Sequence, residues 1–334
     1  MRVPYKLITI VCLSTILVAR PATAQEGQLG TVHFPNSGAP AAQEPFLRGL
    51  ALLHSFEYSA ARAASREAQD ADPGFALAYW GEAMAWNYPL WYQQFRDEAL
   101  EALGRLASSP EDRQAMAPTE RERTWLAAVE TLYGEGEKND RDDRYERAMA
   151  DMHRAFPDDP EVAAFHSLAI LGTAHEGREH RTYMRAGAIA SGLLATHPDH
   201  PGAAHYTIHS FDDPAHASLG LQAALAYSEI APDAAHAQHM TSHIFVAMGL
   251  WERVVEANIR ARDTQDAQRA ENGLEPNVCG HYSSWLHYGH LQLGDTDEAE
   301  ALMDLCHERM QNDPKGQEWI YFAHMRSRQI VDTE

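Results

Sequence analysis

The sequence predicts an all-α protein, and three observations carry that prediction. Ala, Leu, Glu, Arg and Met, all good helix formers, dominate the chain. Apolar residues recur at helical spacing in segment after segment. Alternating Val/Ile/Tyr runs are few, and Asn-Gly or Asp-Gly hairpin pairs are nearly absent. The chain has 334 residues, of which 45% are hydrophobic, which excludes wholesale disorder. Its formal net charge of −21 repels phosphate backbones and anionic lipid, so nucleic acid is excluded as a general partner. Three cysteines are too few for a disulfide framework or a Cys-rich zinc module. The outlier is histidine, with 19 residues.

Taken in order, residues 1–24 read as a secretory signal. Arg2 and Lys6 precede an apolar stretch from Leu7 to Ala19, and Ala22-Thr23-Ala24 is a small-x-small cleavage site. The expectation is a periplasmic or secreted protein with no membrane insertion after cleavage. Residues 25–40, rich in Gly, Pro, Asn and Ala, read as an extended arm. Helical periodicity then fills Phe46–Gln69, Ala76–Trp86, Thr119–Tyr133, Val162–Ala174, Leu219–Ile230, Ala237–Met248 and Ala299–Met310. Thr119 and Glu122 fit a capping box. Asp72-Pro73, Asp159-Pro160, Pro198-Asp199 and Pro232-Asp233 punctuate the helices. The dense charges from Glu135 to Arg147 read as a solvated loop and helix start. Cys279 and Cys306 would lie in an oxidising compartment, but sequence alone does not bring them within bridging distance.

The helices repeat. Leu50–Pro73 reads LALLHSFEYSAARAASREAQDADP and is followed by AYWGEAMAW, with small residues at Gly49, Ala61, Ala68 and Gly81 and a closing Pro73. Met248-Gly249-Leu250-Trp251 and Leu293-Gly294-Asp295-Thr296 mark two further turns between paired helices. This pattern resembles the tetratricopeptide repeat (TPR), a 34-residue helical hairpin. The resemblance is clear over about 42–88 and 160–310 and degenerate over 89–159. It implies that residues 41–334 form a right-handed superhelical solenoid, each hairpin touching only its neighbours. It also implies a concave groove lined by the first helix of each hairpin.

His205 and His209 are four apart, as are His239 and His243, and the second pair follows the first by 34 residues. Pro198 and Pro232 keep the same offset. Residues four apart share one helix face. By the TPR count, His205 and His209 take the fifth and ninth positions of one unit. His236, His239 and His243 take the second, fifth and ninth of the next, and His281 the second of the one after. The resemblance implies that these positions face the groove. Neutral imidazole is the commonest ligand of Zn, Cu, Ni and Fe. His205, His209, His239 and His243 are therefore expected to hold a transition metal, Zn or Cu first and Fe as a further option. The rings would meet at one point or at two nearby points. No Glu follows the first His of either pair, so the metalloprotease motif is absent. Asp212 or Asp213 offers a further ligand or a partner that orients a ring. His236, His281, His175, Glu82 and Trp86 are further groove candidates.

The other histidines are weaker: His197 and His200 read as loop residues between repeats, and His54 has no usable pattern. Tyr79, Trp80, Trp86, Tyr88, Trp91 and Tyr92 read as hairpin core, with an aromatic ligand wall as the alternative. Gly-rich phosphate loops, dinucleotide fingerprints and a Gly-x-Ser-x-Gly elbow are missing. Three functions remain. The first is a metal-binding protein with a His-lined groove. The second is an interaction scaffold holding a protein or peptide without metal. The third is a metal-dependent hydrolase or oxidase, with Asp212, Asp213 or Glu176 as base. In the metal readings the ligand imidazoles must be neutral, so affinity is expected to fall as pH drops through about 6.5.

Overall fold

The computed structural model describes residues 28–312, 316 and 318–333; the expected signal segment, residues 1–24, lies outside the described residues. From Leu29 to Ala39 the chain forms no helix or strand. This arm is packed down. The Thr31 N–H donates to the Asp199 carbonyl at 2.9 Å. The Phe34 ring inserts among Phe46, Trp80 and Trp125, at 5.3, 5.5 and 5.2 Å between ring centres.

Pro40, which needs no helical N–H donor, opens α1 (Pro40–His54). The chain turns through Phe56, whose φ of +56° is rare for a bulky residue, into α2 (Tyr58–Ala71). The single periodic segment Phe46–Gln69 is thus a helical hairpin. After α3 (Ala76–Met84), Asn87–Tyr88 pairs antiparallel with Gln93–Gln94 around a 3-10 turn at Pro89–Trp91. This small ribbon was not expected. Then come α4 (Arg96–Leu106), α5 (Pro110–Met116) and α6 (Glu120–Leu132). The capping box at α6 is present, with Thr119 and Glu122 each accepting the other's backbone N–H.

The charged run lies largely within α7 (Lys138–Ala155), where Arg141 and Asp142 are buried, so it is not wholly solvated. Asp159 caps α8 (Pro160–Gly172) by accepting the Glu161 and Val162 N–H groups. There follow α9 (His180–Thr196), α10 (Pro201–Phe211), α11 (Ala217–Ile230), α12 (Ala235–Ala247) and α13 (Trp251–Glu271). The described chain ends with α14 (His281–Leu293), α15 (Thr296–Asn312) and α16 (Glu318–Thr333).

Consecutive helices pack on one another along the chain, and α10 also touches α8 and α12. Every residue of α10 is buried, because α1 lies against it as well. Such a contact joins elements far apart in sequence, where a linear stack allows only neighbours. It depends on Gly202, since a Cβ there would run into the His54 ring. Among the described residues no helix is long and apolar enough to cross a membrane.

Cys279 and Cys306 form a disulfide, with Cα atoms 4.4 Å apart. It ties the loop before α14 to α15 and closes 27 residues of chain. Chain entropy over such a loop is worth about 3–4 kcal/mol. Cys306→Ser is expected to lower the urea midpoint accordingly. A midpoint equal to that of the wild type under non-reducing conditions would show that the bond contributes nothing.

Candidate metal centre

Each of the two helices carrying the histidine pairs begins three residues after a proline of the repeat register, Pro198 for α10 and Pro232 for α12. Pro201 follows His200, whose Nδ1 accepts the Ala203 N–H at 3.2 Å and caps α10. One repeat later, α12 begins after Pro232. The rings separate into two sets of three. His205, His209 and His236 form one; His239, His243 and His281 form the other. Within each set the ligand nitrogens all lie within 4.8 Å of one another. Both candidate pairs are therefore used, but each is completed by a ring from the next hairpin.

The hydrogen-bond partners fix the tautomers. His205 Nδ1 lies 2.6 Å from the His54 carbonyl, which can only accept, so Nδ1 carries the proton. His239 Nδ1 lies 2.7 Å from Asn258 Oδ1. That amide is oriented by donating its Nδ2–H to the Val254 carbonyl at 2.8 Å. His243 Nδ1 donates to Asp212 Oδ2 at 3.1 Å. Each of these rings then has a lone pair on Nε2. In the first set, Nε2 of His205, His209 and His236 are all buried and without a hydrogen-bond partner. In the second, His239 Nε2 lies 3.2 Å from His243 Nε2 and 3.0 Å from His281 Nε2. The His239 and His243 lone pairs face each other with no proton to share. An ion with Zn–N bonds of 2.0–2.1 Å at tetrahedral angles spaces its nitrogens about 3.3 Å apart.

The environment disfavours the charged form of five of the imidazoles. Burial, reinforced by the neighbouring rings, holds His205, His236 and His239 well below the usual histidine range. Burial lowers His209 too, although the Asp212 carboxylate opposes it. His281 is exposed as a residue, yet its ring is enclosed by His239, Tyr282, Trp285 and Tyr321. Burial and then His243 push it down to about 4. Asp212 serves both sets. The oxygen that accepts from His243 also lies 3.6 Å from His209 Nδ1. Burial alone would raise this carboxylate, but hydrogen bonds from His209 and His243 hold it well below the ordinary range. Its other oxygen pairs with Arg178. It stands behind the rings, as a group that orients ligands does.

Aromatic rings seal the flanks. Phe56 packs 4.3 Å from His205, and Trp285 stacks on His243 at 4.7 Å. One side is open. A cleft of about 490 Å³ is lined by Trp91, Arg269, Tyr282 and Tyr321, and by one ring from each set, His236 and His281. That volume suits a small molecule.

Other candidates fall elsewhere. The Glu82 carboxylate is buried between Arg66, Arg105 and Gln69. Trp86 lies under the Arg62 guanidinium, 3.9 Å away. His175 Nε2 lies 3.0 Å from Asp143. Asp213 pairs with Arg178 and His216, and with exposed His180 forms a third group on the surface.

A fourth group was not legible in sequence. His54, Glu161 and His200 are all buried; His200 is thus not a loop residue but a helix cap. The partners fix the tautomers, because His200 Nδ1 already accepts the Ala203 N–H and the proton of that ring sits on Nε2. His54 Nε2 donates to Glu161 Oε2 at 2.7 Å, while its Nδ1 accepts from the Tyr206 hydroxyl at 2.9 Å. The other Glu161 oxygen accepts the His33 N–H at 2.9 Å and faces His200 Nε2 at 3.4 Å. The His54 and His200 lone pairs are both taken, so neither ring offers a nitrogen to an ion, although the His200 Nε2–H is left without a hydrogen-bond partner. One signal for it existed: Glu161 opens an otherwise apolar helix as its one acidic residue.

Comparison with protein-family models and with curated proteins finds no match for this chain.

Proposed function

We propose that this chain is an exported, TPR-like helical-repeat protein that binds a transition metal through its two sets of imidazoles. The observation that carries this reading is the convergence of three imidazoles in each set, in which the Nδ1 protons of His205, His239 and His243 are committed to other acceptors and leave their Nε2 lone pairs free. Imidazole-only donors favour Zn or Cu; with no carboxylate in either set, Fe is less well served. The proposed form is a right-handed superhelix of hairpins from α8 to α15, departing from a linear stack where α1 closes on α10. The periplasmic or secreted location rests on the signal-like residues 1–24 and is supported by the disulfide.

Elemental analysis of untagged protein, beside His205→Ala/His239→Ala, tests the reading. Near-stoichiometric metal in the wild type, lost in the variant, is the expected result. No metal after incubation with Zn or Cu salts would sink it and leave a protein- or peptide-binding groove.

A second reading has an observation of its own. Three protein ligands leave a coordination position open, and one ring of each set borders the cleft. Structural zinc sites are closed by four ligands, whereas catalytic sites keep three and an open position. A metal-dependent enzyme acting on a small molecule therefore stands beside simple metal binding.

The pH dependence has two parts. In the folded apoprotein burial disfavours the charged form of His205, His209, His236, His239 and His281, so at these rings protons compete with metal only near the lowered value, about 4 for His281. This moves the expected loss of affinity below the 6.5 of a free histidine. Stability behaves differently. The unfolded chain takes up protons below about 6.5 while the buried rings do not. Stability is thus fully present above that pH and is lost as pH falls through it. Asp212 and Glu161, both held below the carboxylate range, add a further loss at more acid pH. The apoprotein Tm is expected to fall steadily from pH 7 to pH 5; a flat profile would contradict the burial of neutral rings.

A further inference from the structure

The six rings do not form one pool. Within a set, ring centres lie 4.7 and 5.1 Å apart for His205 with His209 and His236, and 5.0 and 4.5 Å for His239 with His243 and His281. Across the sets, His209–His243 and His236–His239 are 5.9 and 6.1 Å apart. His236 and His239 leave the same helix three residues apart and turn to different partners. One ion, bonding at about 2.0–2.1 Å, can gather one set but not both. The sets are nonetheless adjacent, since Asp212 lies behind both and the same cleft opens on both.

We propose that the centre is dinuclear: two divalent first-row ions, each held by three imidazoles, side by side at the head of the cleft. The inference rests on the metal-binding reading and adds the count and the neighbourhood of the ions. One carboxylate oxygen, Asp212 Oδ2, stands behind a ring of each set, which places the two sets side by side. Two-metal sites elsewhere hold their ions about 3.5–4 Å apart. At such a distance the ions share one small ligand entering from the cleft.

The test uses the whole chain loaded with Cu(II) and, separately, with Zn(II). Elemental analysis is expected to give two ions per chain in the wild type. His281→Ala removes a ring that lines the cleft, from the one residue of the six classed as exposed, and is expected to leave one. Electron paramagnetic resonance reads proximity. Coupled Cu(II) ions give a signal well below that of the total copper, and His281→Ala restores the signal of one isolated ion. One ion per wild-type chain overturns dinuclearity but leaves metal binding standing; none overturns both. Two ions with full, uncoupled intensity place them apart and overturn the shared centre. The wild-type measurements decide these outcomes even if the variant does not fold.

Discussion

His239→Ala is expected to weaken metal binding more than any other single substitution, by more than about 100-fold. His239 is the hub of its set, its Nε2 facing those of both His243 and His281. Without it the set keeps two imidazoles and loses the one whose Nε2 faces both of them. Asn258→Ala gives the graded comparison. It keeps all three ligands but removes the acceptor that fixes the His239 tautomer, and such supporting partners typically cost 10–100-fold. Titration with Zn(II) against a competing chelator, at pH 7.5, measures both. Two ions bound with unchanged Kd in His239→Ala would end the three-imidazole assignment of its set. A loss in Asn258→Ala as large as that in His239→Ala would point to collapse of α12 instead, which circular dichroism would reveal.

Glu161→Ala is expected to be the most destabilising single change outside the metal centre. The carboxylate is fully buried and holds the His54 and His33 donors, with His200 Nε2 close by. Removing one partner of a buried charged network costs about 3–5 kcal/mol, because the donors left behind find no water. For a chain of this size that is a Tm loss on the order of 10 °C. Glu161→Gln is expected to cost less. His54 can move its proton to Nδ1 and donate to the Tyr206 oxygen, leaving Nε2 to accept from the new amide. The effect reaches the metal centre, because the His54 carbonyl orients His205. Thermal unfolding of the apoproteins separates the cases: Glu161→Ala melting with the wild type would show that the cluster carries no stability.

The helical class was legible because amphipathic spacing, capping residues and Asp-Pro breaks are local properties. The same locality explains the correct pairing of His205 with His209 and of His239 with His243, since four residues are one helical turn. Repeat register points Glu82 into the groove, and Trp86 joins it as part of an aromatic cluster. Nearby arginines claim both side chains instead, and a register does not see a neighbour's charge. The disulfide was open in sequence because spacing along the chain says nothing about the distance between α15 and the loop before α14.

By itself, then, the sequence determined an α-helical chain, a 34-residue offset between two histidine pairs, and the face each pair shares. The tertiary structure decided what those faces meet. His236 and His281 complete the two sets only because α10, α12 and α14 present them to neighbouring turns. The N-terminal hairpin closes on α10, so His54, 151 residues before His205 in the chain, supplies the carbonyl that sets its tautomer. The physical reason is that helical periodicity fixes direction around one axis. Converging lone pairs require several axes at set distances, and hydrogen-bond partners from distant segments that decide which nitrogen keeps its proton.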